Sequence, residues 1–186
     1  MAKGEVRARM VTTAVRLLAE KGPTGASFGD VLEAAGAPRG STYHHFPAGK
    51  REMYDAALDL ASQRADAALE GVRGQPADVV VETFFGMWRS LLTHTELRAG
   101  CAVLAVAVAG DDAANVEHAG EIFAAWRGRL ESLLVEGGLD VGRARTVAAV
   151  SISAAEGAVA LARAEQSLDA FELVAAELVE LARRAG

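Results

Sequence analysis

Residues 27–50, SFGDVLEAAGAPRGSTYHHFPAGK, decide how the rest of the chain is read. Ser27, with Asp30 three residues on, has the form of a helix N-cap with an acid in the first turn. Val31, Leu32, Ala34 and Ala35 give the following helix an apolar side. Gly36 ends it, because glycine most readily takes the left-handed turn at a helix C-terminus. Pro38 opens a second short helix, since the N–H that proline lacks would be unpaired in a first turn. That helix carries Arg39, Ser41, Tyr43, His44 and His45, and only Thr42 and Phe46, at i and i+4, share a face suited to burial. A helix so poor in apolar residues is made to touch something polar. Two short helices about a glycine turn form a helix-turn-helix.

On the N-terminal side, Val6, Met10, Ala14, Leu17 and Leu18 recur at helical spacing, which predicts a helix over 5–20 that stops at Lys21–Gly22–Pro23. On the C-terminal side, Phe46–Pro47–Ala48–Gly49 is a turn, and Lys50 begins a helix running to about Gly71. Further helices are expected over 76–94, through the small-residue segment 101–110, then from an Asp111 or Asp112 cap to Gly137–Gly138, over 141–165 capped by Asp140, and over 168–184 capped by Ser167. The four prolines stand at 23, 38, 47 and 76, so nothing interrupts long helices in the last hundred residues. With 51% apolar and 5% aromatic residues, alanine- and leucine-rich, the composition also favours helix. The fold class is all-α with about nine helices, divided into a helix-turn-helix domain at 1–50 and a helical domain at 51–186.

The formal charge of −6 conceals an asymmetry. Residues 1–54 hold eight Lys/Arg against five Asp/Glu, net +3, and residues 55–186 hold eleven against twenty, net −9. Positive charge gathered at the helix-turn-helix end suits contact with DNA. A pI near 5.3 argues against a strongly basic architectural DNA binder. No disulfide framework is expected from one cysteine, which fits a reducing cytoplasm. The most apolar segment, Cys101–Ala109, is too short to span a bilayer, and no membrane partner is expected. Against an enzyme, the histidines at 44, 45, 94 and 118 show no metal-ligand spacing and the glycines form no phosphate-binding fingerprint. No metal or cofactor is expected. Adjacent helical positions point about 100° apart, which argues against His44 and His45 sharing a metal.

At Leu32, Ala35, Gly36, Ala37, Pro38, Gly40, Tyr43, Phe46 and Lys50 the chain resembles the TetR family of bacterial transcriptional repressors. The family pattern is A-x-x-A-G-V-S-x-G-x-x-Y-x-x-F with a lysine a few residues beyond. The form G-S-T-Y-H-H-F-P-A-G-K, together with Gly100–Cys101, is similar to the lincomycin-resistance (LmrA/YxaF-type) regulators. The chain departs from the pattern at Ala37–Pro38, where the family usually has Val–Ser and so a hydroxyl able to cap the recognition helix. The resemblance implies a ligand-responsive repressor that binds a pseudo-palindromic double-stranded DNA operator. It also implies that 51–186 is a ligand-binding and dimerisation domain, a homodimer through the last two helices, and a fourth helix that links head to body.

The candidate DNA-binding residues are Ser27, Arg39, Gly40, Ser41, Tyr43, His44, His45 and Lys50. Arg39 and His44 are placed to reach base edges, and Gly40 to admit the backbone close to the bases. Ser27, Ser41, Tyr43, His45 and Lys50 suit phosphates. The candidate effector-binding residues are Phe84, Trp88, Leu92, Cys101, Leu104, Phe123, Trp126, Ile152 and Glu156, with Ser151, Ser153 and His118 as further interior polar groups. A mostly apolar set with few polar groups suits a hydrophobic or aromatic molecule, although the same residues also serve as ordinary core. Cys101 has two readings. As a redox sensor it lacks a resolving thiol in the chain, and its apolar neighbours favour an inert, buried side chain. A sequence-nonspecific DNA binder and a Cys101 redox regulator remain the alternatives.

Overall fold

In the computed structural model the described residues are 3–38 and 42–185, with only the backbone described at Lys3, Thr42 and Tyr43. Among them the regular structure is helical: α1 (Lys3–Lys21), a 3-10 turn (Pro23–Gly25), α2 (Phe28–Ala35), α3 (Thr42–His45), α4 (Lys50–Glu70), α5 (Ala77–His94), α6 (Ala102–Ala109), α7 (Ala113–Glu136), α8 (Val141–Glu165) and α9 (Asp169–Ala185). They form two compact units, one of residues 1–63 with 101–122, the other of 64–100 with 123–186.

The first unit grows from the apolar stripe of α1. Met10, Ala14, Leu17 and Leu18 are buried and pack against α2 and α6. Phe46 fills the space beneath α3 with no exposed surface, and the Arg7 guanidinium lies 5.0 Å from its ring centroid. Met53, Tyr54, Ala57 and Leu58 bring the first turns of α4 into the same core. The Tyr54 hydroxyl donates to the carbonyls of Pro23, at 2.9 Å, and Ala26, at 3.3 Å, and so ties α4 to the segment that introduces α2.

In the second unit α5, α8 and α9 pack on one another. Phe85 meets Phe171 edge-on at 5.8 Å. Beside them Arg89 donates two parallel bonds to Glu172, of 2.6 and 2.8 Å, and a third to Glu82. The Glu172 carboxyl is held below its usual range chiefly by the hydrogen bond from Arg89. Helix α8 is long and apolar enough to cross a bilayer, but half of that stretch is buried within the protein, as in a core helix.

The helix ends follow the sequence signals. Asp140 accepts the Arg143 N–H, and the Ser167 hydroxyl oxygen accepts the Asp169 N–H. Asp112 accepts the Ala114 N–H at 2.9 Å, which selects Asp112 over Asp111 as the cap of α7. One boundary needs correction. The spacing predicts the second helix of the motif over 38–45; Pro38 lies outside a helix, 42–45 form α3, and 39–41 fall outside the described residues. The residue before a proline is pushed from helical to extended backbone, so Ala37–Pro38 lengthens the turn. After α5, Glu96 and Leu97 both take left-handed backbone, with φ of 50° and 60°, unusual for consecutive non-glycine residues.

Candidate functional site

The helix-turn-helix is assembled by local chemistry. The Ser27 side chain accepts the Asp30 N–H at 3.2 Å while the Asp30 carboxylate accepts the Ser27 N–H at 2.9 Å, a reciprocal capping box. The carboxyl of Asp30 is lowered mainly by its bond with the Ser27 side chain, so it caps as an anion. At the other end Gly36 sits at φ 57°. Its N–H reaches the Glu33 carbonyl at 3.1 Å, and the Ala37 N–H reaches that of Leu32 at 2.9 Å. This is a Schellman turn, and it stops α2 after two turns. Arg9 adds a bond from α1 to the Gly36 carbonyl at 3.5 Å.

Of the DNA-contact candidates, Arg39, Gly40 and Ser41 lie outside the described residues, and Tyr43 is placed by its backbone in α3. His44 is exposed and His45 half-exposed, their rings 5.4 Å apart. Ser27 is exposed, with its hydroxyl engaged in the cap. Lys50 stands at the first residue of α4 with its ammonium 5.0 Å from the Tyr54 ring centroid and 3.2 Å from each carboxylate oxygen of Asp111. The Lys50 bond holds the Asp111 carboxyl below its ordinary range.

The Lys50–Asp111 pair is the first rung of a polar ladder between α4 and α7. Asn115, almost wholly buried, donates to the Arg51 carbonyl at 3.2 Å and to the Asp55 carboxylate at 2.7 Å. His118 Nε2 lies 2.9 Å from Asp59, and its Nδ1 lies 3.5 Å from Glu121. Burial opposes protonation of His118, but the bonds to Asp59 and Glu121 outweigh it and raise its pKa. His118, a candidate polar group for a ligand on sequence grounds, is thus engaged in joining two helices. Asn115 and His118, three residues apart, share one face of α7, and Asp111 stands just ahead of it, but the spacing alone does not say what that face meets.

The effector-site candidates divide between the two units. Phe84, Trp88, Leu92, Trp126, Ile152 and Glu156 are buried in the second unit, where Phe123 is half-exposed and meets Trp126 edge-on at 5.5 Å. Cys101 and Leu104 belong to the first unit. Cys101 is buried, and its sulfur accepts the Leu104 N–H at 3.3 Å, which caps α6. Among the described residues no group of three or more His, Cys, Asp or Glu is disposed to hold a metal.

Comparison with known proteins covers both parts of the chain. Residues 11–63 match the N-terminal family model of the bacterial regulatory proteins of the tetR family, and residues 76–177 match the C-terminal domain model of LmrA/YxaF-like transcriptional regulators. The HTH-type transcriptional regulator Rv0196 of Mycobacterium tuberculosis is 33% identical over 182 residues, covering 94% of this chain and 93% of that protein. The HTH-type regulator YxaF of Bacillus subtilis is 23% identical over 191 residues, 99% of this chain and 98% of that one. A TetR transcriptional regulator from Chloroflexus aurantiacus has a similar structure, with TM-score 0.77 and 26% identity over 96% of this chain and 94% of that one.

Proposed function

Because the chain belongs to the TetR family of bacterial transcriptional regulators, in its LmrA/YxaF-like branch, we propose that it is a repressor that occupies a pseudo-palindromic operator as a homodimer and leaves when a hydrophobic or aromatic small molecule binds. In this reading residues 1–50 hold the DNA and residues 51–186 pair the subunits and sense the ligand, in the cytoplasm.

The observation that carries the reading is the capped α2, the left-handed Gly36 turn and the exposed His44 on α3, braced by α1. A short helix after such a turn enters the major groove, where Arg39 and His44 read base edges and Gly40 admits close approach. Ser27, Ser41, Tyr43, His45 and Lys50 contact phosphate and set register. One head makes too few contacts for tight specific binding, and two heads one helical turn apart supply the rest.

Pairing of subunits is supported by the outer surface of α8. Its exposed residues between 146 and 164 include Val150, Ser153, Gly157, Ala160 and Leu161, and none of the exposed ones is charged. On α9, Leu173 is 74% exposed. Two such faces, small in side chain and apolar, let helices of two subunits approach closely across a two-fold axis. Ligand binding among the buried aromatics of α5 and α7 and the buried face of α8 then shifts population away from the operator-competent state through the tilt of α4. Couplings of this kind amount to roughly 1–3 kcal/mol.

The test is selection of genomic fragments by the purified protein at stated salt, followed by footprinting. A protected pseudo-palindrome about two major-groove segments long is expected. Weak binding with no sequence preference would overturn the operator reading.

A further inference from the structure

We propose that Asp111 is an internal competitor for the DNA-binding lysine, its carboxylate holding the Lys50 ammonium that a DNA phosphate would otherwise take. This rests on the reading of the head as a DNA-binding element and adds to it a residue that sets how strongly the head binds.

The geometry makes the pair more than a chance surface contact. Both Asp111 oxygens are 3.2 Å from Lys50 Nζ, and on its other side the ammonium meets the Tyr54 ring at 5.0 Å. That ring is nearly fully buried and fixed through its hydroxyl to the Pro23 and Ala26 carbonyls. The Asp111 side chain is largely exposed, but the segment that carries it is anchored. Four residues on, Asn115 grips the Arg51 carbonyl and Asp55, and three beyond that His118 grips Asp59, so the start of α7 cannot turn away from the start of α4 without breaking two part-buried bonds and one exposed one. Asp112 caps α7, which leaves the Asp111 carboxylate, apart from its own backbone N–H, to Lys50.

An ammonium can neutralise a phosphate or a carboxylate, and a lysine that moves to DNA leaves Asp111 as an uncompensated anion beside a polyanion. Both effects weaken binding, and neither depends on base sequence. Asp111 therefore sets the sequence-independent part of the affinity. Any change that draws the start of α7 from α4 would release Lys50 towards the phosphates.

The test is a fluorescence-anisotropy titration of the selected operator duplex and of a random duplex of equal length, at several salt concentrations. It compares the full-length protein with Asp111→Asn, Lys50→Ala and the double variant. Asp111→Asn is expected to tighten binding to both duplexes roughly two- to fivefold at low salt, the range available to an exposed ion pair, with the gain fading as salt rises. In the Lys50→Ala background the same change should give a clearly smaller gain, since only the repulsion between the bare carboxylate and DNA is then left to remove. Asp111→Ser, with no amide to replace the carboxylate, should act in the same direction. An unchanged affinity for Asp111→Asn, with wild-type binding intact, would overturn the proposal. An equal gain in the Lys50→Ala background would also overturn it, since Asp111 would then act only by repelling DNA and not by holding Lys50. Failure of the wild type to bind either duplex would instead sink the DNA-binding reading, and this inference with it.

Discussion

Replacing Tyr54 with phenylalanine isolates the bond between α4 and the segment that launches α2. The ring is 1% exposed and its packing survives the change, so only the hydroxyl and its donations to Pro23 O and Ala26 O are lost. The Pro23 carbonyl keeps a second donor, the Ala26 N–H at 3.4 Å. The loss is thus one good hydrogen bond and part of another, about 1–2 kcal/mol. For a chain of this size that lowers the melting temperature by roughly 2–8 °C. In urea the midpoint should fall with an unchanged slope, because the surface exposed on unfolding is the same. Alkaline pH gives an independent check. Burial raises the Tyr54 phenol from 10 to about 12. A folded pKa above the unfolded one contributes stability that is complete below about pH 10 and is lost as pH climbs towards 12. The gap between wild type and Tyr54→Phe should therefore be constant below pH 10 and narrow above it. A variant with the wild-type midpoint, or a gap that widens at alkaline pH, would refute the reasoning.

Other perturbations separate the remaining roles. Arg39→Ala should relax base preference in competition binding, whereas Lys50→Ala should weaken operator and random DNA alike and reduce the salt slope by about one; equal losses on both duplexes for Arg39→Ala would remove its assignment to base edges. Leu161→Glu sets a charge on the uncharged outer face of α8, and light scattering should show the dimer replaced by a helical monomer; an unchanged dimer mass would place the interface elsewhere. Gly137→Ala should lower the midpoint of thermal unfolding by an amount equivalent to about 1–3 kcal/mol. A Cβ there would lie 2.7 Å from the Gln75 carbonyl and 2.9 Å from the Ala77 nitrogen, backbone atoms with little freedom to retreat; a neutral result would mean that this loop yields more readily than its hydrogen bond implies.

Features governed by near neighbours along the chain are legible in the sequence itself. The Ser27–Asp30 box, the Gly36 turn, the Asp140 cap and the core stripe of α1 each depend on residues within one or two turns, where composition determines geometry. The long helices α4, α5, α7, α8 and α9 are legible to within a residue or two of their ends for the same reason. The α4–α7 ladder is not. Asp111, Asn115 and His118 look like an ordinary solvated helix face, and what buries Asn115 is a helix some sixty residues earlier in the chain. Nor does periodicity reveal that Cys101 and Leu104 fall in a different compact unit from Trp88 and Trp126, since apolar spacing identifies a buried face without naming what lies against it. At α3 the local signals compete: proline can start a helix, but it also keeps the preceding residue extended, and Pro38 itself lies outside the helix.

The two compact units differ in their chromophores. Both tryptophans, Trp88 and Trp126, belong to the second unit, and both tyrosines, Tyr43 and Tyr54, to the first. Intrinsic emission excited at the red edge, where only indole absorbs, therefore follows the body alone, and the head is silent in it. Tyrosine emission and its transfer to indole carry the complementary signal. A single unlabelled sample, followed through denaturant at both excitations, would tell whether the head melts before the body or with it.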